Sequence, residues 1–325
     1  MKKNRFIATF LHAVTVLMLG VVSVQAQPTY PSKPVKLVVG FPAGSATDTA
    51  ARILAERMRP YLGQQIIVEN RPGAASAIAT QMVAAAAADG YTILFSSASA
   101  TVNASANDNA ASRAYKSLMP VAMVVTIPNI LVVHPSLGVK SVGDLIALAK
   151  SKPDVISYAS SGPGSSPHMS AELFSSRAGI KMQHVPYKGS SQAMNDVLPG
   201  LVPVMFSPAS SVLEYIKGGK LIALATTSNR RTKLLDIPTL EEAGLPDFNV
   251  SLWFGILAPK GTDTAIVQKL ASAADKVLND PGTSAQLAKQ NMEVINASPA
   301  EFGAFINSEI TRWGVLIKAN NIAIH

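Results

Sequence analysis

The sequence predicts an α/β protein of two lobes, each built on a mainly parallel sheet. Three observations carry this. The chain has 325 residues, 48% hydrophobic and 6% aromatic, enough for one or two sizeable cores. Short β-branched runs alternate with stretches of helical apolar spacing over short connections, the pattern of parallel sheet. The alternation resumes in a second region, with crossings expected near Pro128-Asn129 and near Phe248–Ser251. Both crossings lie beside strands rather than in loose linkers, which is the mark of a hinge.

Taken in order, Met1 to Arg5 carries three positive charges. Phe6 to Val22 is apolar except for His12 and Thr residues, and Val24-Gln25-Ala26 matches a small-x-small cleavage site. This reads as a secretory signal peptide over residues 1–26, removed on export. Its loss takes Lys2, Lys3 and Arg5 with it and lowers the net charge from +8 to +5.

Val35 to Val39 reads as a buried strand and Thr47 to Arg59 as a helix. Ile66 to Val68 is a second strand, Ala74 to Ala88 an alanine-rich helix, and Thr92 to Phe95 a third strand. Strands at Val121–Thr126 and Ile130–Val133 follow. After them come a helix at Ser141–Lys150, a strand near Ile156–Tyr158, and a helix from Ser166 to about Ala178. A strand near His184, a helix at Ser190–Leu198, a strand at Val204–Phe206, a helix at Ala209–Lys217 and a strand at Leu221–Ala225 complete that region. The last third gives a strand at Leu252–Leu257 and helices from about Thr264, Gly282 and Pro299. Phe302, Phe305, Ile306, Ile310 and Trp313 recur at helical spacing and read as core packing.

Composition excludes several functions. With no cysteine there is no disulfide, thiolate zinc site or Cys nucleophile. Five His leave few metal ligands. Basic residues are scattered, and the one close cluster, Arg230-Arg231 with Lys233, reads as a solvated loop, so nucleic acid is not an expected partner. No G-x-S-x-G, H-E-x-x-H, P-loop or G-x-G-x-x-G occurs. Ser165 and Ser166 with His168 resemble a nucleophile and base. However, Pro167 suits a first helical turn, so Ser166 reads as the N-cap and His168 as a structural ring. Glu241-Glu242 read as a solvated surface on a short helix.

Four loops rich in Gly, Ser and Thr stand between strands and helices: Phe41 to Asp48, Ser96 to Ser99, Ser160 to Ser166, and Tyr187 to Ser191. In parallel sheets such loops gather at the carboxyl ends of strands. The helices after them offer unpaired amides and a partial positive charge. That combination suits a small anion such as a carboxylate.

At these residues the chain resembles a known family. Tyr30-Pro31-Ser32-Lys33-Pro34-Val35, the Pro42 to Asp48 loop and Val68-Glu69-Asn70-Arg71-Pro72-Gly73-Ala74 match its strings. So do Asp89-Gly90-Tyr91-Thr92-Ile93-Leu94, Ser166-Pro167-His168 and Val185-Pro186-Tyr187-Lys188-Gly189. Pro238-Thr239, Glu242-Ala243-Gly244 and Trp253-Phe254-Gly255 follow in the expected order. The chain is thereby similar to the Bug-type extracytoplasmic solute receptors of tripartite tricarboxylate transporters.

The resemblance implies a Venus-flytrap periplasmic binding protein: two α/β lobes, residues 27–128 plus 250–325 and residues 129–249, joined by two crossover strands. It implies a non-enzymatic, cofactor-free monomer that delivers a small organic acid to integral-membrane transporter subunits. The ligand positions it implies are Phe41, Ala43, Gly44, Ser45, Thr47, Asp48, Ser96, Ser97, Ser99, Ser165, Ser166, His168, Tyr187, Lys188 and Ser207. Two departures matter. Ser45 replaces a loop glycine, and Ser207 replaces an Asp of the family pattern, which favours a plain carboxylate over an amino acid. Phe41, Tyr187 and Trp253 are candidates for an apolar wall. Asp48 is either a helix-turn carboxylate or a ligand contact. A receptor presenting its ligand to a sensor, and a secreted Ser hydrolase, are the rival readings.

Overall fold

The computed structural model describes residues 30–106 and 108–324. The signal-peptide expectation, including cleavage near Ala26, lies outside the described residues. Lys33–His325 form one compact unit.

Its first sheet begins with β1 (Val35–Val39), flanked in parallel by β2 (Ile66–Asn70) and β3 (Thr92–Ser97). Antiparallel to β3 runs β9 (Ser251–Ala258), and antiparallel to β9 runs β4 (Met119–Val133). A half-exposed strand, β10 (Glu293–Ala297), pairs with β4 on that side. The second sheet holds β5 (Ser157–Ser160) between β6 (Gln183–Pro186) and β7 (Val204–Pro208), all parallel. Beside β7 is the far half of β4, which also pairs with β8 (Ile222–Thr226). The sheets are therefore mixed rather than mainly parallel. One strand passes between them, and its returning partner β9 must run antiparallel to it.

β4 is one continuous strand, not the two expected. Pro128 is its last residue opposite β9, at Ser251, and Asn129 its first opposite β7, at Pro208. A proline, with no amide to donate, is tolerated where a strand changes partners. The return path is tied to the same point, since the Val250 amide donates to the Thr227 carbonyl, and the Thr227 amide to that of Asn129.

Helices follow the strands: α1 (Ala46–Leu62), α2 (Ala77–Ala84), α3 (Ala98–Ala106) and α4 (Ala110–Ser117) in the first region. The second holds α5 (Val142–Ser151), α6 (Ser166–Ala178), α7 (Ser190–Val197) and α8 (Ala209–Lys217). The last are α9 (Thr264–Leu278), α10 (Pro281–Ala288) and α11 (Pro299–Asn320). The expected Ala74–Ala88 helix is split. Ala74–Ser76 is a short 3₁₀ turn, and the α-helix starts only at Ala77 because Ala74 and Ser76 hold positive φ. Glu241-Glu242 lie in a turn, where Glu242 accepts the Thr239 amide.

Phe302 and Ile306 of α11 pack in the first core with Leu94, Trp253 and Leu257. Trp313, Leu316, Ile317 and Ile324 share the second core with Leu131, Tyr158, Phe174 and Phe206. The C-terminal helix thus spans both cores, a third connection beside β4 and the return to β9.

Candidate functional site

The first loop is built around a carboxylate. Ser45 caps α1, its Oγ accepting the Asp48 amide at 3.2 Å. Asp48 Oδ2 accepts the Gly44 amide and Arg52 Nε, both at 2.9 Å, and Oδ1 accepts Asn70 Nδ2 at 2.8 Å. The same Asn70 amide donates to the Phe41 carbonyl at 3.0 Å. Gly44 closes the turn at φ +80°, a backbone state open to glycine. Burial alone would push the Asp48 carboxyl up. The bonds from Arg52, Gly44 and Asn70 outweigh it and hold Asp48 below the usual carboxylate range. Asp48 is 2% exposed, and its oxygens are spent on the loop, so it shapes the site from beneath. Ala43 and Gly44 are exposed, Phe41 and Ser45 half-buried, and Thr47 buried.

Beside this loop, Ser76 sits directly on Gly40, where an added methyl would fall 2.0 Å from its Oγ. Ser76 Oγ and Ser97 Oγ are buried with no hydrogen-bond partner among the described residues. Ser96 Oγ donates to the Tyr115 hydroxyl at 3.4 Å, under α3. Ser99, in the first turn of α3, is buried.

In the second region Ser165, not Ser166, is the N-cap of α6, its Oγ accepting the His168 amide at 3.4 Å. Proline is accepted at either of the first two helical positions, so Pro167 does not fix the cap by itself. Ser166 instead points inward, and its Oγ accepts Asn129 Nδ2 at 2.6 Å. His168 is 2% exposed, and its Nδ1 accepts the Gly164 amide at 3.1 Å. No Ser–His dyad forms from Ser165 or Ser166. Tyr187 donates its hydroxyl to Asp196 at 2.6 Å. The Lys188 side chain is exposed, while its amide donates to Gln192 Oε1. Ser207 is fully buried, its hydroxyl without a partner among the described residues.

Close contacts link these loops into one series. Gly40 meets Ser76. The Ala74 carbonyl accepts Asn103 Nδ2 at 3.5 Å. Gly164 lies against Val102 and Ile324, so a loop after β5 touches a helix after β3. Gly162 lies against the Tyr187 carbonyl, and the Tyr187 amide donates to Ser160. Helices α2, α7 and α8 begin without a side-chain cap, whereas α1 and α6 are capped by Ser45 and Ser165 and α4, α5, α9, α10 and α11 by Asn, Ser or Asp. The uncapped starts leave first-turn amides for another acceptor.

Trp253 is not part of this series. It is 1% exposed, packs edge-on against Phe302 and Phe305, and borders a cavity of about 710 Å³ with Thr126, Arg230, Glu293 and Arg312. Sequence reasoning missed Asn70, Ser76 and Asn129. Asn70 stood inside a quoted string and Asn129 at a quoted crossing, but their bonds join residues 22 and 37 positions apart. No local pattern carries such a pairing.

Two mixed sheets sharing one strand, with glycine- and serine-rich loops at their strand ends, define a two-lobed solute-binding protein. The model of the tripartite tricarboxylate transporter family receptor matches residues 50–322, and the chain belongs to that family. It is 36% identical to Protein BugT of Bordetella pertussis over 321 residues, 98% of each chain. Among solved structures it is similar to a protein of R. palustris with adipate: TM-score 0.80, 33% identity, 90% of this chain and 99% of that one. It is also similar to MatC of Rhodopseudomonas palustris with bound malate: TM-score 0.76, 29% identity, 89% of this chain and 100% of that one. The fold is that of periplasmic binding proteins, and the protein is a non-enzymatic periplasmic solute receptor. Among the described residues no helix is long and apolar enough to cross a membrane.

Proposed function

We propose that this receptor binds a small organic acid, a dicarboxylate of malate-to-adipate size, and delivers it to the membrane subunits of a tripartite transporter. The observation that carries the reading is the pair of uncapped helix starts at α7 and α8, beside Lys188 and Ser207, in a chain whose loops from Gly40 to Tyr187 run in mutual contact. Amides at helix starts bind anions through hydrogen bonds and the helix dipole. The fully buried Ser207, in place of an acidic residue, offers no counter-charge to an ammonium. The solved relatives with adipate and malate support the ligand class.

In this reading the ligand positions are Phe41, Ala43, Gly44, Ser45, Thr47, Ser96, Ser97, Ser99, Ser165, Ser166, Tyr187, Lys188 and Ser207. Asp48 and His168 act from behind them. The lobes, residues 27–128 plus 250–325 and residues 129–249, close on the acid as a monomer about Pro128-Asn129 and Val250. A thermal-shift screen of mono- and dicarboxylates against the matching amino acids tests it, since a ligand of the folded state raises the apparent melting temperature. Stabilisation by dicarboxylates alone is expected. A preference for amino acids overturns the ligand class.

A further inference from the structure

Two stacked imidazoles lie beneath the loop from Ser160 to Ser165. His168, in the first turn of α6, and His184, in β6, have ring centroids 4.0 Å apart and planes 10° apart. Tyr158 of β5 extends the stack, 5.0 Å from His184 at 14°. Because His168 Nδ1 accepts the Gly164 amide, it carries no proton, and the neutral ring holds its hydrogen on Nε2. That nitrogen lies 3.8 Å from Glu172 Oε1, the oxygen that also takes the Tyr158 hydroxyl. His184 Nε2 is 2.7 Å from Ser160 Oγ, and Ser160 Oγ accepts the Gly162 amide at 3.1 Å. Gly162 and Gly164 are the two residues of this loop at positive φ, +114° and +69°.

We propose that His168 and His184 are positioning residues, a stacked pair of neutral rings that fixes the ligand loop by holding the Gly164 amide directly and the Gly162 amide through Ser160. This rests on the solute-receptor reading above and reassigns His168 from a ligand contact to a support behind the loop. A ring 2% exposed, with Nδ1 spent on Gly164 and Nε2 turned toward Glu172, offers a ligand no free acceptor. An imidazolium is also excluded by the geometry. A protonated Nδ1 would point a hydrogen at the Gly164 N–H, and two rings 4.0 Å apart resist sharing positive charge.

The titratable groups facing the pair are Tyr158 from β5 and Glu172 from α6 itself. Burial raises both, adding to the cost of any charge there. Burial pushes His168 down to about 3, with His184 adding to the effect, and pushes His184 down to about 4. The clamp therefore stays neutral across the pH range in which an exposed histidine would titrate.

The test uses the full-length mature protein. Ring-nitrogen chemical shifts by NMR should show His168 Nδ1 unprotonated from pH 8 to pH 5. Two variants separate acceptor from stack. His168→Phe keeps a flat ring and loses the acceptor, and His168→Asn keeps an acceptor near the Nδ1 position and loses the ring. In calorimetric titration with adipate, His168→Phe should weaken binding about tenfold, and Gly164 amide exchange should accelerate to match, because a buried amide loses its partner. His168→Asn should restore most of both. A protonated Nδ1 in the native protein, or a His168→Phe variant with native affinity and native Gly164 exchange, overturns the proposal. If the native protein ignores adipate and malate, the ligand reading fails instead. The clamp is then decided by the ring-nitrogen shifts and the Gly164 exchange rates, which need no ligand.

Discussion

The side-chain amide of Asn129 donates to the Ser166 hydroxyl at 2.6 Å and to Ser170 at 3.0 Å. Asn129 is the residue at which β4 passes from one sheet to the other, and Ser166 opens the helix behind the second-lobe loop. The crossing and the loop are thus joined by one buried amide. Asn129→Leu should cost about 1–3 kcal/mol through its two lost bonds, read by urea denaturation. It should also weaken ligand binding, because the helix start is no longer pinned. A variant that loses stability but binds as the native protein would confine Asn129 to a packing role.

Asp48 anchors the first loop through Gly44, Arg52 and Asn70. Asp48→Asn removes the charge from all three bonds and should destabilise the fold by about 1–3 kcal/mol. The native carboxyl lies below its usual range, so its contribution is present above pH 3.8 and is lost as pH falls through the folded value. At neutral pH the variant should bind the acid several-fold more weakly, by calorimetry, because Ala43, Gly44 and Ser45 lose their support.

The two histidines carry a pH signature of the same sign, displaced to higher pH. Unfolded imidazoles protonate near pH 6.5, whereas folded His184 and His168 wait until about 4 and about 3. Between pH 6.5 and those values the unfolded state binds more protons. The stability the rings contribute is therefore complete above pH 6.5 and falls as the solution is acidified. Glu172 and Glu309, both raised by burial, pull the other way, since their contribution is present below pH 4.5 and lost as pH rises. The difference between native protein and His184→Phe isolates one ring. Denaturation midpoints at pH 7.5 and pH 5 should converge for that pair as pH falls, because the variant lacks the native protein's proton uptake on unfolding.

Lys188 offers a contrast among the loop residues. Its side chain is exposed, with no ion pair among the described residues. Lys188→Ala should leave the melting temperature unchanged. If the ammonium steers the acid, affinity should fall about two- to fivefold at low salt, and the difference should shrink at high salt. Ser45→Ala differs because Ser45 caps α1. It should lower stability by about 1 kcal/mol as well as weakening binding.

The fold was legible where side-chain chemistry has contrast. Val35–Val39 carries valine at its first and last two positions, and α1 places Ala50, Ile53, Leu54 and Met58 on one buried face. It was illegible where contrast fails. Helices α3 and α4 bury Ala98, Ala100, Ala104, Ser112 and Tyr115, residues too small or too polar to make an apolar stripe. Strand β10 is half-exposed and bulged against β4, so it lacks clean alternation. The loops were legible as Gly, Ser and Thr clusters. Their supports, Asn70, Ser76 and Asn129, were not, because tertiary contacts alone give them meaning.

Ser207 separates a structural from a binding role in one substitution. Its hydroxyl is fully buried and has no partner among the described residues, and its backbone is fixed opposite Ile130 in the β7–β4 pair. An unsatisfied buried hydroxyl costs about 1–3 kcal/mol. Ser207→Ala should therefore leave the ligand-free protein as stable as the native one, or more so, by denaturant titration. If the hydroxyl meets the acid once the lobes close, the same variant should bind more weakly, and the two effects will have opposite signs. Ser207→Asp extends the test. A carboxylate at a fully buried position without a basic partner should cost several kcal/mol and should repel a dicarboxylate. Gain of amino-acid binding by this variant would mark position 207 as the point where ligand class is chosen. Unchanged acid binding by Ser207→Ala would remove the hydroxyl from the site and leave selection to the loop amides.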